Sequence, residues 1–200
     1  MIQPVSQRAE QGFPRGFKTR CENLAIQYRD HLGVAGTAPL CPYRLAEYLG
    51  VCIWRLEDVP GLCKEAKRHL ASEEGNEWSA VAVRVSGQDI IVLNPSHNYS
   101  RQSNDLMHEL AHIILDHRPS TMYFAGGVGI RDFNKQQEDE ADWLGACLLL
   151  PRPALAHHHL KISVEDAALL FKVSPALYVY RLRITGVEKQ FQHRVKKSSG

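Results

Sequence analysis

A chain of 200 residues with 44% hydrophobic and 23% charged residues has the composition of an ordinary globular protein and is long enough to bury a core, which excludes wholesale disorder. Its formal net charge of +2 is too small for the whole surface to serve as a nucleic-acid-binding face. The five cysteines include no C-x-x-C pair, so they read as free thiols rather than as a zinc knuckle or a redox dithiol.

Residues 1–16 mix Gly, Pro, Arg and Gln without periodicity and read as a flexible leader. The N-terminal stretch lacks the apolar run of a signal peptide, and nothing approaches the roughly 18 apolar residues of a membrane span. The expected location is therefore the cytoplasm, with no membrane partner. Order is expected from Phe17, where Leu24, Ala25, Tyr28, His31 and Leu32 recur at helical spacing before Gly33 and Gly36. Pro42 starts a second short helix that Gly50 closes, and Val51–Trp54 is a strand candidate. After a polar, acidic stretch (Ser72 to Glu77), Trp78–Val85 and Asp89–Leu93 read as two strands of a hairpin turning at Ser86-Gly87-Gln88, the second stopping at Asn94-Pro95.

A long helix is expected over Arg101–His117, capped by Ser100. Pro119–Phe133 reads as a glycine-containing loop, and a second core helix spans Lys135–Leu150. Pro151-Arg152-Pro153 marks a boundary, placing one domain over residues 17–153. His157-His158-His159 reads as an exposed polar loop. Val164–Phe171 and Pro175–Arg183 form a helix-turn-helix-like pattern over residues 160–187, with a small core expected from Ala167, Leu170, Phe171, Leu177 and Leu182. Residues 188–200 read as a basic flexible tail. From Arg181 onward, Arg181, Arg183, Lys189, Arg194, Lys196 and Lys197 outnumber the single acid Glu188, and such a run is most simply a solvated one.

The chemistry lies in His108-Glu109-Leu110-Ala111-His112. Histidines four apart share a helix face, with Cβ atoms about 5–6 Å apart, so both imidazoles can ligate one metal ion. Glu109 lies beside them as a general base for water bound to the metal. An apolar helix makes this pattern costly unless the polar groups find partners. A third protein ligand is required. The pattern that would place a third histidine six residues beyond His112 is excluded, because that position is Arg118; His117 is one residue too early and is expected on the solvated side.

The better source is Glu138-Asp139-Glu140-Ala141-Asp142. Glu138 and Asp142 share a face, so one helix can supply a carboxylate ligand (Glu138) and a second carboxylate (Asp142) that orients a ligating histidine. Glu140 points about 160° away from Asp142. Glu140 as ligand, and a merely solvated acidic helix start, stand as the alternatives. Two histidines and a carboxylate favour zinc, one ion per chain, over magnesium or calcium, and the expected reaction is hydrolysis of a peptide bond.

His108-Glu109-Leu110-Ala111-His112-Ile113-Ile114-Leu115, followed by Glu138-Asp139-Glu140-Ala141-Asp142-Trp143 and the run to Pro151, resembles the ImmA/IrrE family of metallo-endopeptidases. The resemblance extends to the Pro42–Gly50 helix, Asn94-Pro95 and the segment from Val173 to Val187, covering residues 17 to 187. It implies an α+β, zincin-like core with a small mixed or antiparallel sheet, a helix carrying both histidines, a helix carrying the third ligand, and the helix-turn-helix-like C-terminal module. It also implies zinc ligands His108, His112 and Glu138, with Glu109 catalytic. The family often has Asn where Asp142 stands and Phe where Trp143 stands; neither departure touches a ligand. The implied substrate is a helix-turn-helix transcriptional repressor, whose cleavage derepresses mobile-element or stress-response genes. The contrasting expectation is a DNA-binding regulator with a structural or degenerate metal site, although Ser174–Tyr180 offers few side chains for reading bases. A digestive protease is disfavoured, since no export segment or propeptide is visible.

Overall fold

The computed structural model describes residues 12–72, 78–117, 122–125, 128–131 and 134–191. The expected leader up to residue 11 and the tail from residue 192 lie outside them. Within the described residues the chain is α+β, with a three-stranded sheet set among helices.

Helix α1 (Phe17–His31) and helix α2 (Pro42–Tyr48) form as expected; Pro42 occupies the first turn of α2, and Gly50 takes a left-handed φ of 69° just past its end. Strand β1 (Cys52–Trp54) follows, then a single 3₁₀ turn over Leu56–Asp58 and helix α3 (Lys64–Leu70). Strands β2 (Ala80–Val85) and β3 (Gln88–Leu93) form an antiparallel hairpin closed by Ser86 and Gly87, both at positive φ (51° and 84°). Two positive-φ residues match the right-handed twist of the flanking strands. Strand β1 adds to β3 in parallel, Cys52 opposite Ile90 through Trp54 opposite Val92, so the order is β1-β3-β2 and the sheet is mixed. Central β3 buries Ile90, Ile91, Val92 and Leu93, whereas edge strand β2 leaves Val81, Val83 and Val85 exposed.

Helix α4 (Tyr99–Ile114) begins two residues earlier than expected because Asn98 rather than Ser100 is the cap, its side chain accepting from the Arg101 amide, and it ends three residues earlier, ahead of Asp116 at a left-handed φ of 55°. The stretch before it is fixed by Asn94, which donates to the Trp78 carbonyl and accepts from Ser96. The region expected as a loop contains a second antiparallel pair, β4 (Met122–Ala125) with β5 (Val128–Arg131). Helix α5 (Lys135–Leu149), capped by Asn134, packs along α4 and α1.

Beyond Pro151 the chain turns directly into helix α6 (Arg152–His158). His157 and His158 are therefore helical rather than in a loop, and His158 Nε2 lies 3.1 Å from the Thr37 carbonyl oxygen. Helices α7 (Val164–Phe171) and α8 (Pro175–Ile184) follow, each capped by a serine. Ala167, Phe171 and Leu182 are buried as expected, but Leu170 is exposed. One hydrophobic cluster runs from Phe17 through Leu106, Leu144, Leu148 and Leu155 to Phe171 and Val187. Arg181, expected in a solvated basic run, is completely buried. Phe13, expected in the loose leader, stacks on Phe17 and meets the edge of Trp143. Among the described residues no helix is long and apolar enough to cross a membrane.

Candidate metal centre

Helix α4 is amphipathic. Leu106, Met107, Leu110 and Ala111 are buried against the core, while His108 and His112, one turn apart, face α5 from the edge of that stripe. The two helices pack closely at Gly145: a Cβ built there would make ordinary contacts, 3.5 Å from the Met107 carbonyl oxygen and 3.6 Å from the His108 Cα. The closeness brings the first turn of α5, and with it Glu138, over the histidines.

His108 Nε2 and His112 Nε2 lie 3.0 Å apart. Glu138 Oε2 lies 3.2 Å from the first and 3.7 Å from the second. These three residues are the one group of candidate metal donors that converges among the described residues. Glu109 does not join it; it is buried next to His108 on α4, close enough for its charge to raise the proton affinity of His108.

The electrostatics suit a cation at this point. Burial disfavours the charged form of His108, but contacts with Asp142 and Glu138 outweigh it and hold the imidazole up at about 10. The hydrogen bond with His108 and the nearby His112 imidazole hold Glu138 well below the usual carboxylate range, against the opposing effect of its burial. A bound metal would replace the shared protons as the positive partner of these groups.

The remaining acids divide by side of the helix. Asp142 Oδ1 lies 2.9 Å from His108 Nδ1, the nitrogen facing away from the three-donor cluster. Glu140, weighed as an alternative ligand, faces His117 instead, with Oε2 3.1 Å from His117 Nε2. His117, expected on the solvated side, is turned inward, with Nδ1 2.9 Å from His112 Nδ1. The helix termination explains the difference. Leu115 caps α4 and Asp116 takes φ 55°; the Asp116 amide donates to the Ile113 carbonyl, and the His117 amide to the His112 carbonyl. This is the Schellman arrangement, with aspartate in the left-handed position usually held by glycine. The one signal in the sequence was Asp116 itself, a residue type that tolerates that conformation.

A cavity of about 460 Å³ opens beside His108, walled by Trp143, Ala146 and Leu149 of α5 and by Leu177, Tyr180 and Ile184 of α8. Helix α8 thus forms one side of the space next to the metal centre. The model of the IrrE N-terminal-like domain, Peptidase M78, matches residues 63–183, a span containing every residue of the cluster. No curated protein matches the chain.

Proposed function

The chain belongs to the peptidase family of the IrrE N-terminal-like domain, and from that premise we propose that it is a zinc-dependent endopeptidase of restricted specificity acting on a helix-turn-helix transcriptional repressor. The observation that carries the metal-dependent part is the convergence of His108 Nε2, His112 Nε2 and Glu138 Oε2. Arms of 2.0–2.1 Å define a tetrahedron with edges of about 3.3 Å, close to the 3.0, 3.2 and 3.7 Å separations of these atoms. Two imidazoles and one carboxylate are a donor set suited to catalytic zinc, and their positions, both histidines on one helix and the glutamate on the next, support a zincin-like reading. Zinc held there supplies a Lewis acid that acidifies water and polarises a peptide carbonyl.

Glu109, placed beside the donors without belonging to them, takes the proton from the attacking water and delivers it to the leaving nitrogen. The apolar cavity between α5 and α8 gives a substrate side chain a place next to the reacting carbonyl. Restricted specificity calls for recognition away from the scissile bond as well. We assign that role to the C-terminal module, where α7 presents Leu169 and Leu170 to solvent.

The reading is tested by co-expression with a repressor encoded nearby. Cleavage at one or a few sites, abolished by chelation and restored by zinc, is expected, with casein cut poorly. Leu169→Glu should slow repressor cleavage while leaving hydrolysis of a short peptide unchanged. Efficient casein digestion without repressor cleavage would defeat the regulatory reading. Tight operator binding by Glu109→Gln, with no proteolysis by the unaltered protein, would instead favour a DNA-binding regulator.

A further inference from the structure

We infer that His117 and Glu140 form an outer chain that positions His112 as a metal ligand, the counterpart of the direct Asp142 contact to His108. This inference rests on the metal-dependent reading above. The two nitrogens of His112 face different partners. Nε2 faces His108 and Glu138, so a metal held by the cluster takes its lone pair. The proton of neutral His112 must then sit on Nδ1. Its neighbour at 2.9 Å is His117 Nδ1, and a contact between two ring nitrogens needs one donor and one acceptor. His117 Nδ1 is therefore the acceptor, its own proton lies on Nε2, and Nε2 donates to Glu140 Oε2 at 3.1 Å. The far end is anchored too, because Gln136 Nε2 donates to Glu140 Oε1 at 2.9 Å.

Both ligating imidazoles thus have their outer nitrogen tied to a carboxylate, one directly and one through a second imidazole. Such contacts fix the tautomer and ring orientation of a ligating histidine and raise its basicity. The two arms differ in their exposure to water. The side chain of Asp142 is 63% exposed, whereas those of His117 and Glu140 are 7% and 14% exposed. Water can replace much of what Asp142 supplies, but it has little access to the contacts of the other two. The His117–Glu140 arm is therefore the one on which zinc affinity depends more.

The test is zinc affinity of the full chain, measured by chelator competition, together with the visible spectrum of the cobalt-substituted protein and the thermal unfolding of the metal-free form. His117→Leu should weaken zinc binding by about 10–100-fold and shift the cobalt bands, with Asp142→Asn losing less. His117→Gln supplies both an accepting oxygen and a donating nitrogen, so it should recover most of the loss; Glu140→Ala should resemble His117→Leu. The metal-free forms should unfold at temperatures close to that of the unaltered chain. The chain is overturned if His117→Leu binds zinc within about twofold of the unaltered protein, or if Gln and Leu at this position lose affinity equally. It is also overturned if the affinity losses track losses of metal-free stability. Failure of the unaltered protein to bind zinc would bring down the metal-dependent reading as well, which separates the two.

Discussion

Glu109 is 7% exposed and follows directly on His108 in the helix whose two histidines bring their inner nitrogens to 3.0 Å, yet it is not one of the three convergent donors. That position suits a group that handles protons beside a metal without holding it. Glu109→Gln preserves size and hydrogen bonding, so it should retain zinc while losing roughly 10²–10⁴-fold in cleavage rate; an unchanged rate would remove Glu109 from the mechanism. Residues whose placement follows from helical spacing were legible in the sequence. His108 with His112, and Glu138 with Asp142, are each four apart, and the structure puts each pair on one helix face. His117 was not legible, because its direction depends on where α4 stops and on the left-handed turn at Asp116. Continuing the helix through residue 117 points the same side chain outward.

The two helices that carry the centre meet at Gly145, and this close approach sets how near Glu138 comes to the histidines. A methyl group there would make ordinary contacts at 3.5–3.6 Å with the α4 backbone. Gly145→Ala should therefore be accommodated and, with its better helix propensity, stabilise the protein by up to about 1 kcal/mol. Gly145→Leu must push α5 from α4, so it should weaken zinc binding as well as lower the melting temperature. Full zinc affinity in Gly145→Leu would show that the helix spacing does not control the centre. Long periodic segments such as α1 and α5 were readable, and so was the β2–β3 hairpin, whose turn chemistry is local. The β4–β5 pair was hidden by glycines that usually signal loops. Helix α3 was hidden because none of its residues is buried, leaving no periodic apolar face to detect.

Across the molecule, Arg181 ties α8 to the body that carries the centre. Its guanidinium donates to the Leu150 carbonyl through Nε at 3.1 Å and Nη2 at 2.9 Å, and to Glu22 on α1 at 2.5 Å. Glu22 also accepts from the Arg152 amide at 2.9 Å, so one carboxylate links α1, α6 and α8. Sequence charge counting assigned Arg181 to a solvated run, since nothing local distinguishes a buried arginine from its exposed neighbours. Arg181→Ala takes both side-chain donors from the Leu150 carbonyl and the cation from partly exposed Glu22, and should destabilise the fold by about 2 kcal/mol, measurable by urea unfolding. A loss below about 1 kcal/mol would mean that the network contributes no more than a surface pair. The central claim is that α4 and α5 together hold a catalytic zinc ion, and the most direct test is the metal content of purified protein measured by elemental analysis beside that of Glu138→Ala and Glu140→Ala. About one zinc per chain is expected in the unaltered protein, with a near-complete loss in Glu138→Ala and partial retention in Glu140→Ala; full zinc occupancy in Glu138→Ala, or none in the unaltered chain, would contradict it.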